Sequence, residues 1–349
     1  MEPRLRVLVC HPLPDGTLSK LGEGVEILAM ARPAGAGGGE LRKALSGSHG
    51  LLCLLVDPID AEALAAAPHL RVVSSVSVGV DHIDLKAATA LGIPVGHTPS
   101  VLAETTADLT FALLLAAARR VAEGDRYVRS GAWKSDEPSL GGAPGGQSPP
   151  WGLDFMLGRD VHGATLGIVG LGEIGRAVAR RAQGFGMRVL GWSRTPRSVA
   201  AVALTALPDL LRVADFVSVH VARTPETVGL LGREALARLQ PHAILVNTAR
   251  GGIVDEEALA EMLRGGRLFA AGLDVFANEP LPRTSPLLQL ANVVLTPHIG
   301  SASVATRARM VDLALANLQA GLRFEPLPRC ANPQVYETPA YRLRSQGGI

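Results

Sequence analysis

The sequence predicts an α/β protein with two domains, each a doubly wound parallel β-sheet covered by helices. Three observations support this fold class. The chain has 349 residues, which is too long for one ordinary domain and comfortable for two. Short apolar runs alternate with helical patterns along the chain, which is typical of βαβ units. The alternation also falls into two series, separated by a long apolar helix and a glycine- and proline-rich stretch.

The first series occupies the N-terminal part of the chain. Its apolar runs have the length of buried strands, and segments such as Ala61–Ala67 between them have helical spacing. The predicted strands are Leu5–Cys10, Val25–Ala29, Leu51–Val56 and Val72–Val76.

Glu104–Arg120, which contains no glycine or proline, is predicted to form a long helix between the two series. Ser130–Gly163 is rich in Gly, Pro and polar residues and is predicted to be a loop or lid. Ala302–Leu322 is predicted to be another long helix, and the tail from Pro326 shows little periodicity. The strands of the second series are Thr165–Val169, Arg188–Trp192, Phe216–His220, Ile244–Asn247, Leu268–Leu273 and Val293–Thr296.

Composition excludes several classes of function. The formal charge is only +2 and no run of basic residues occurs, which argues against nucleic-acid binding. The longest apolar stretch, Leu109–Ala118, is half of what a membrane span needs, and the N-terminal apolar run is too short for a signal peptide. Three cysteines without metal-type spacing suggest reduced thiols in a cytoplasmic protein, and no His/Cys cluster suggests a metal.

A glycine motif opens the second series. Gly170-Leu171-Gly172-Glu173-Ile174-Gly175 follows a predicted strand directly and leads into a helical pattern at Ile174–Phe185. In this arrangement glycines let the backbone approach a pyrophosphate at a helix N-terminus. We therefore predict nucleotide binding here, although a tight strand-to-helix turn without a ligand would have the same sequence.

Three later segments carry polar residues at the carboxyl ends of predicted strands, which face the ligand crevice in an open parallel sheet. They deliver Arg250, Asp274, Glu279 and His298 near one place. Each residue alone could be a surface charge or a satisfied histidine. Their occurrence at successive strand ends makes coincidence a poor explanation.

With these segments, the chain resembles the D-isomer-specific 2-hydroxyacid dehydrogenases, and most closely the glyoxylate/hydroxypyruvate reductases. The resemblance runs from about residue 51 to about residue 322. It also includes Ser77-Val78-Gly79-Val80-Asp81-His82-Ile83-Asp84 and Glu104-Thr105-Thr106-Ala107-Asp108. It implies an oxidoreductase that reduces a small 2-keto acid with a nicotinamide cofactor.

The resemblance implies that Arg250, Glu279 and His298 are catalytic. Reduction of a keto acid needs a cation for the carboxylate and carbonyl oxygen, which the guanidinium fork of Arg250 suits. It also needs a proton donor near neutral pH, the natural role of His298. Glu279 can hold that histidine in position and favour its protonated form.

The same resemblance implies the remaining contacts. Leu55, Val78 and Gly79 would bind substrate together with Arg250 and His298. Val78 and Gly79 would do so through their backbone N–H groups. Asp274 would lie near the nicotinamide. Other cofactor contacts are expected from Thr106, from the glycine motif at residues 170–175, and from Ser193, Arg194, Thr195, Arg197, Val221, Thr248, Ala249 and Gly300.

The resemblance further implies two similar domains with a cleft between them. A substrate domain would comprise residues 1–103 and 299–349, and a nucleotide-binding domain residues 104–298. The family is typically dimeric through the cofactor domains, and residues 123–163 could take part in that contact. An aromatic of this region, Trp133 or Trp151, is expected to reach the active site, where simple packing is the alternative.

Two features depart from the family. Glu173 stands where these enzymes often carry Arg, and we expect it to point away from the pyrophosphate and to offer only its backbone N–H. Residues 139–152 resemble an insertion relative to the closest family members.

The sequence predicts that NADP(H) is preferred and that NAD(H) is possible. NAD-specific relatives have an acidic residue at the end of the second strand of the nucleotide fold, which binds the ribose 2′-hydroxyl. Here no Asp or Glu occurs between Glu173 and Asp209. The strand is followed instead by Ser193-Arg194-Thr195-Pro196-Arg197, with hydroxyls and cations suited to a 2′-phosphate, although these arginines could also belong to the general Arg excess.

Alternative functions remain open at this stage. A phosphoglycerate dehydrogenase would want cations where the predicted pocket offers Leu54, Leu55, Val56, Val78 and Val80. Oxidation of formate involves no transfer of a hydroxyl proton. The carboxylate of Glu279, which would pair with an acid–base histidine, therefore argues against a formate dehydrogenase. A nucleotide-sensing binding protein would need no proton donor, so the Arg–Glu–His set favours an enzyme.

Overall fold

The computed structural model describes residues 4–29, 38–133, 152–195 and 198–347. The chain divides into two compact units. Unit 1 comprises Met1–Leu102 and Ser303–Ile349, and unit 2 comprises Ala103–Ala302.

The strands are short and mostly buried, as expected for parallel sheets covered on both faces. They are β1 (Leu5–Val9), β2 (Val25–Ala29), β3 (Gly50–Cys53), β4 (Val72–Ser75), β5 (Val95–Gly96), β6 (Thr165–Val169), β7 (Arg188–Trp192), β8 (Ala203–Leu204), β9 (Phe216–Val219), β10 (Ile244–Asn247), β11 (Ala270–Leu273) and β12 (Val293–Leu295).

Helices separate most of these strands, and several begin at an Asp, Ser or Thr whose side chain accepts a hydrogen bond from the first turn. They are α1 (Gly38–Leu45), α2 (Ala61–Ala65), α3 (Leu85–Ala90), α4 (Ala103–Ala118), α5 (Val121–Arg129), α6 (Glu173–Gly184), α7 (Leu207–Val213), α8 (Arg233–Leu236), α9 (Glu256–Arg264), α10 (Val304–Leu322) and α11 (Pro339–Ser345). Short 3-10 helices lie at Leu18–Leu21, Pro286–Gln289 and Pro333–Glu337.

Both sheets are parallel and reverse their strand order near the middle. The order in unit 1 is β2-β1-β3-β4-β5, and the order in unit 2 is β12-β11-β10-β9-β6-β7-β8. Read from β6, the second is the order of a dinucleotide-binding fold extended by one strand, with its switch point between β6 and β9. The predicted fold class, two doubly wound parallel-sheet domains, is confirmed.

The sheet of unit 2 separates two hydrophobic layers. Along β10, Ile244 and Val246 pack into one cluster and Leu245 into the other, because successive side chains of a strand point to opposite faces. Gly272 of β11 is required by packing, since a Cβ there would come 2.9 Å from the Cβ of Leu113 in α4.

The chain passes from unit 1 to unit 2 between residues 102 and 103 and returns to unit 1 between residues 302 and 303. The predicted boundaries were 103/104 and 298/299. The four-residue difference at the second boundary has a local cause. The backbone N–H groups of Ile299 and Gly300 both donate to the carboxylate of Asp274, which ties this segment to unit 2.

The structure also contains elements that the sequence did not indicate. The two-residue strands β5 and β8 are too short to produce an alternation pattern. Helix α11 lies in the tail after Pro326, where little periodicity was found. Thr338 caps it and Pro339 occupies its first position, so capping chemistry rather than periodicity marks this helix.

Within the described ranges, no helix is long and apolar enough to cross a membrane. Cys10, Cys53 and Cys330 are not joined by disulfides. Burial raises the pKa of the Cys53 thiol well above its ordinary value, with the neighbouring Cys10 and Asp57 adding to the effect.

Candidate active site

Three loops of unit 2 leave the carboxyl ends of three neighbouring strands. Arg250 follows β10, Asp274 follows β11 and His298 follows β12. Because β10, β11 and β12 pair in parallel, these loops emerge at the same edge of the sheet. Residues that are up to 48 positions apart in sequence are thereby brought into one neighbourhood.

His298 and Glu279 form a direct pair. Nδ1 of the histidine lies 2.7 Å from Oε2 of Glu279, and each side chain is 23% exposed. Since the carboxylate accepts, Nδ1 carries the hydrogen, which leaves Nε2 as the ring nitrogen for exchange with a substrate. The other oxygen, Oε1, accepts from the backbone N–H of Phe276 at 2.9 Å and fixes the orientation of the carboxylate.

The environment of Glu279 favours its charged form. Burial acts to raise its pKa, but the hydrogen bonds from His298 and the N–H of Phe276, with the positive charges of His298 and Arg250, lower the pKa overall. The guanidinium of Arg250 therefore acts electrostatically on this pair.

The Arg250 loop is fixed by its own side chains and by close packing. Asn247 donates from Nδ2 to the carbonyl of Arg250 at 3.0 Å and accepts at Oδ1 from the N–H of Ala249. Nη1 of Arg250 donates to the carbonyl of Ala249 at 2.8 Å. A Cβ on Gly251 would stand 1.8 Å from the carbonyl oxygen of Phe276, so only glycine lets this loop approach the Glu279 loop.

Asp274 anchors the histidine loop. Its Oδ1 accepts from Oγ1 of Thr296 at 2.7 Å and from the N–H of Ile299 at 2.8 Å, and its Oδ2 accepts from the N–H of Gly300 at 2.8 Å. Its carbonyl also accepts from the N–H of His298. Burial raises the pKa of Asp274 in spite of these hydrogen bonds. The loop is thus held in the conformation in which His298 has a φ of +53°.

The glycine motif lies at the strand-order switch point, between β6 and α6. Gly170 has a φ of +108°, and a Cβ there would meet the carbonyl of His220 at 2.6–2.7 Å. A Cβ on Gly175 would stand 1.9 Å from the carbonyl oxygen of Gly170. Around Gly172, by contrast, a Cβ would meet nothing within 4 Å, and its φ is −71°. The packing of the described residues explains the first and last glycines, whereas no packing contact within 4 Å requires the middle one.

The other predicted cofactor residues form two groups. Thr106, Thr248, Ala249 and Gly300 lie around the loops that follow β10 and β12, and Val221 lies beside the glycine motif. Oγ1 of Thr248 lies 2.9 Å from Oγ1 of Thr110, which donates to the carbonyl of Thr106. Gly300 packs against Thr106 and Asp274. Ala249 is buried beside Thr248, and Val221 follows His220 next to Gly170.

The segment after β7 has an acidic neighbour that its own sequence does not contain. Oγ of Ser193 donates to the carbonyl of Thr195 at 2.6 Å. Nη1 of Arg194 lies 3.4 Å from Oε2 of Glu226, and both side chains are about two-thirds exposed. No carboxylate occurs between Glu173 and Asp209 in the sequence, but the fold brings the carboxylate of Glu226 next to Arg194. Arg197 lies outside the described residues.

The predicted substrate residues Leu55, Val78 and Gly79 belong to unit 1. Leu55 follows β3, and Val78 and Gly79 follow β4, so they lie at the carboxyl edge of that sheet. All three are partly exposed.

Three further predictions concern the region around α5 and the start of α6. Glu173 is exposed at the first position of α6. Trp133 is 52% exposed after α5. Trp151 and most of the 139–152 stretch lie outside the described residues. Within the described ranges, no group of three or more His, Cys, Asp or Glu residues could hold a metal ion.

Sequence reasoning did not single out Asn247, Glu226 or Thr296. The first could have been found, because an Asn just before the Arg250 turn is a common backbone-bonding residue. The roles of the other two depend on contacts with Arg194 and Asp274 from other segments, for which the sequence carries no signal.

Comparison with known proteins identifies the family of this chain. Residues 111–300, more than half of the chain, match the family model described as D-isomer specific 2-hydroxyacid dehydrogenase, NAD binding domain. A glyoxylate reductase of Korarchaeum cryptofilum is 47% identical over 339 residues, which cover 96% of this chain and 97% of the relative.

Solved structures give the same result. A protein from Thermus thermophilus is 49% identical with a TM-score of 0.84, covering 94% of this chain and 100% of that one. An NADPH-dependent glyoxylate/hydroxypyruvate reductase from Sinorhizobium meliloti, in complex with NADP and malonate, is 33% identical with a TM-score of 0.78, covering 95% and 98%. The fold, the matched domain and the near full-length relatives show that this chain belongs to the D-isomer specific 2-hydroxyacid dehydrogenase family and is an NAD(P)-dependent dehydrogenase.

Proposed function

We propose that this protein reduces glyoxylate, hydroxypyruvate or both to the 2-hydroxy acid, with Arg250, Glu279 and His298 as its catalytic residues. The observation that carries the proposal is the 2.7 Å contact between Nδ1 of His298 and Glu279, within electrostatic reach of Arg250. A protonated imidazole beside a guanidinium suits a substrate that presents a carboxylate and a carbonyl oxygen together.

The glycine loop fits a dinucleotide. Gly172 leaves open space at the N-terminus of α6, where backbone N–H groups and the helix dipole favour a pyrophosphate. Thr106, Thr248, Ala249, Val221 and Gly300 would complete the binding site. When bound, the reduced nicotinamide supplies the hydride equivalent for C2 of the keto acid.

The residues of the chain have separate tasks. Arg250 binds the carboxylate, orients the keto acid and withdraws charge from its carbonyl oxygen. His298 donates the proton on Nε2 to that oxygen. Glu279 holds Nδ1 and stabilises the imidazolium before transfer, and Asp274 keeps the loop of His298 in place.

The test is a panel of keto acids assayed with NADPH and NADH on the wild type, His298→Ala and Arg250→Lys. Loss of a general acid should lower the reduction rate by about 10²–10⁴-fold. Arg250→Lys keeps the charge but loses the two-pronged geometry, so kcat/KM should fall strongly while cofactor affinity stays near normal.

His242→Asn provides a matched control, since His242 also pairs with a carboxylate, that of Asp215 at 2.8 Å, but lies before β10 at the other end of that strand. Near-normal turnover of His298→Ala would refute the assigned acid. Turnover of a phosphorylated hydroxypyruvate in preference to the free acids would favour a phosphoglycerate dehydrogenase-like enzyme, and nucleotide binding without any turnover would favour a sensor.

We further propose that NADPH is preferred. Its 2′-phosphate would replace Glu226 as the partner of Arg194, with the hydroxyls of Ser193 and Thr195 nearby. An exposed ion pair contributes at most about 1 kcal/mol, whereas hydrogen bonds to a charged group contribute about 1.5–3 kcal/mol each. Arg194→Ala should weaken NADPH selectively and Glu226→Gln should strengthen it. Equal effects on NADPH and NADH would refute this role.

A homodimer through the nucleotide-binding unit is also proposed. Helix α5 has no buried residue, and apolar side chains on it and on residues 152–157 are exposed, including Val128 at 51% and Leu153 at 97%. Val128→Glu with Leu153→Glu should convert a dimer to a monomer in sedimentation experiments. A wild-type monomer would exclude the proposal. The three cysteines, which form no disulfide, support a cytoplasmic location.

A further inference from the structure

In the loop after β4 in unit 1, the backbone carbonyls and the backbone N–H groups differ in their hydrogen bonding. Four successive carbonyls of this loop accept hydrogen bonds. The carbonyl of Ser77 accepts from the N–H of Thr98 at 2.8 Å, and that of Val80 from the N–H of Ile83 at 3.0 Å. The carbonyl of Val78 accepts from Nδ1 of His97 at 2.9 Å.

The fourth carbonyl is held by a chain of side chains. Oγ of Ser77 donates to the carbonyl of Gly79 at 2.7 Å. Because a hydroxyl has one hydrogen, Ser77 must accept from Ser75, whose Oγ lies 2.7 Å away. Ser75 must then accept from Nε2 of His82 at 3.1 Å. The direction of every hydrogen bond from His82 to Gly79 is therefore determined.

These carbonyls decide where the N–H groups point. Within a planar trans peptide, the C=O of one residue and the N–H of the next point in opposite directions. Because hydrogen bonds hold the carbonyls of Ser77, Val78 and Gly79, they also fix the peptide planes that carry the N–H groups of Val78, Gly79 and Val80. In the described part of the chain these three N–H groups have no acceptor. Successive N–H groups of this kind bind anions.

We infer that His97 and Ser77 are positioning residues that hold this loop open as a carboxylate-binding site, with Val80 as a third N–H donor beside Val78 and Gly79. The inference rests on the proposed function, in which the anion is the carboxylate of the keto acid. His97 acts through one atom, since the carbonyl of Val78 can only accept and Nδ1 must donate. Ser77, 2% exposed, acts through its hydroxyl.

Two substitutions at residue 97 separate this role from general packing. Asparagine places an amide nitrogen close to the position of Nδ1, whereas glutamine places it close to that of Nε2. His97→Asn should keep the hydrogen bond and His97→Gln should lose it. Ser77→Ala tests the second carbonyl, and His69→Gln, at an exposed histidine of the same unit, is the control.

The readout is the KM for glyoxylate, with kcat, the KM for NADPH and the unfolding midpoint measured in parallel. His97→Gln and Ser77→Ala should raise the KM for glyoxylate about tenfold or more, as expected for loss of one hydrogen bond to a charged group. The KM for NADPH should stay unchanged, kcat should change less than about threefold, and His97→Asn and His69→Gln should resemble the wild type.

An unchanged KM for glyoxylate in both His97→Gln and Ser77→Ala would overturn the inference. So would an equal rise in His97→Asn and His97→Gln, or a parallel rise in the KM for NADPH, because each indicates a structural role. If His97→Gln fails to fold, Ser77→Ala and His97→Asn decide the matter by the same criteria. A wild type that turns over no keto acid would refute the proposed function and this inference together. Wild-type turnover with insensitive variants would refute the inference alone.

Discussion

Substitution of three glycines of α6 tests which glycines of the nucleotide loop are needed for packing and which for binding the cofactor. Gly175→Ala would place a Cβ 1.9 Å from the carbonyl oxygen of Gly170, more than 1 Å inside the closest distance such atoms adopt. Relieving this overlap requires α6 to move away from the strand that precedes it. Overpacking of this severity costs about 3 kcal/mol, the upper end of the usual range, so the apoprotein should be clearly destabilised.

Gly172→Ala should behave in the opposite way. Its Cβ would meet nothing within 4 Å and its φ is accessible to alanine. Replacing glycine at an N-cap costs up to about 1 kcal/mol, and the stiffer unfolded chain returns about 0.4–1 kcal/mol, so the two effects nearly cancel. The methyl group would stand where the pyrophosphate approaches. Loss of one charge-assisted hydrogen bond, about 1.5–3 kcal/mol, corresponds to a Kd about 10–100-fold higher.

Gly184→Ala is the control, because it lies at the other end of α6 with open space around it. Urea unfolding of the apoproteins and titration with NADPH measure the two effects separately. Gly184→Ala should match or exceed the wild type in stability and bind cofactor normally. Normal cofactor affinity in Gly172→Ala, or normal stability in Gly175→Ala, would refute this division of roles.

Three further substitutions test the catalytic loops and the pH dependence of stability. Asp274→Asn replaces one acceptor oxygen by a donor, so it should lower stability by about 1–3 kcal/mol and reduce kcat/KM by displacing His298, as urea unfolding and steady-state rates would show. Gly251→Ala should abolish turnover in steady-state assays while leaving α6 intact, because its Cβ would overlap the carbonyl of Phe276 and displace the Arg250 loop. Burial lowers the pKa of His220 to about 3, so only the unfolded chain takes up this proton as the pH falls below 6.5. The wild type should therefore lose about 2 kcal/mol between pH 7 and pH 5 that His220→Asn does not lose; equal pH slopes would contradict this.

The sequence by itself determined the local features of this protein. Most strands begin and end within two residues of their predicted bounds, and α4, α6 and α10 lie where apolar periodicity indicated them, because burial imposes a repeat that neighbouring residues display. The Gly170–Gly175 motif and the polar residues after β10, β11 and β12 could be found for the same reason. Their positions relative to a strand end are a property of a few consecutive residues.

Only the tertiary structure decided how distant segments meet. The sheet order places β9 beside β6 and so brings His220 against Gly170, a contact that no local pattern specifies. Likewise, Glu226 reaches Arg194 from another loop, although the sequence between Glu173 and Asp209 contains no acid. Asp274 also proved to be the anchor of the His298 loop. Hydrogen bonds and ion pairs act over about 3 Å in space, regardless of the separation along the chain, and only folding fixes which polar groups come that close.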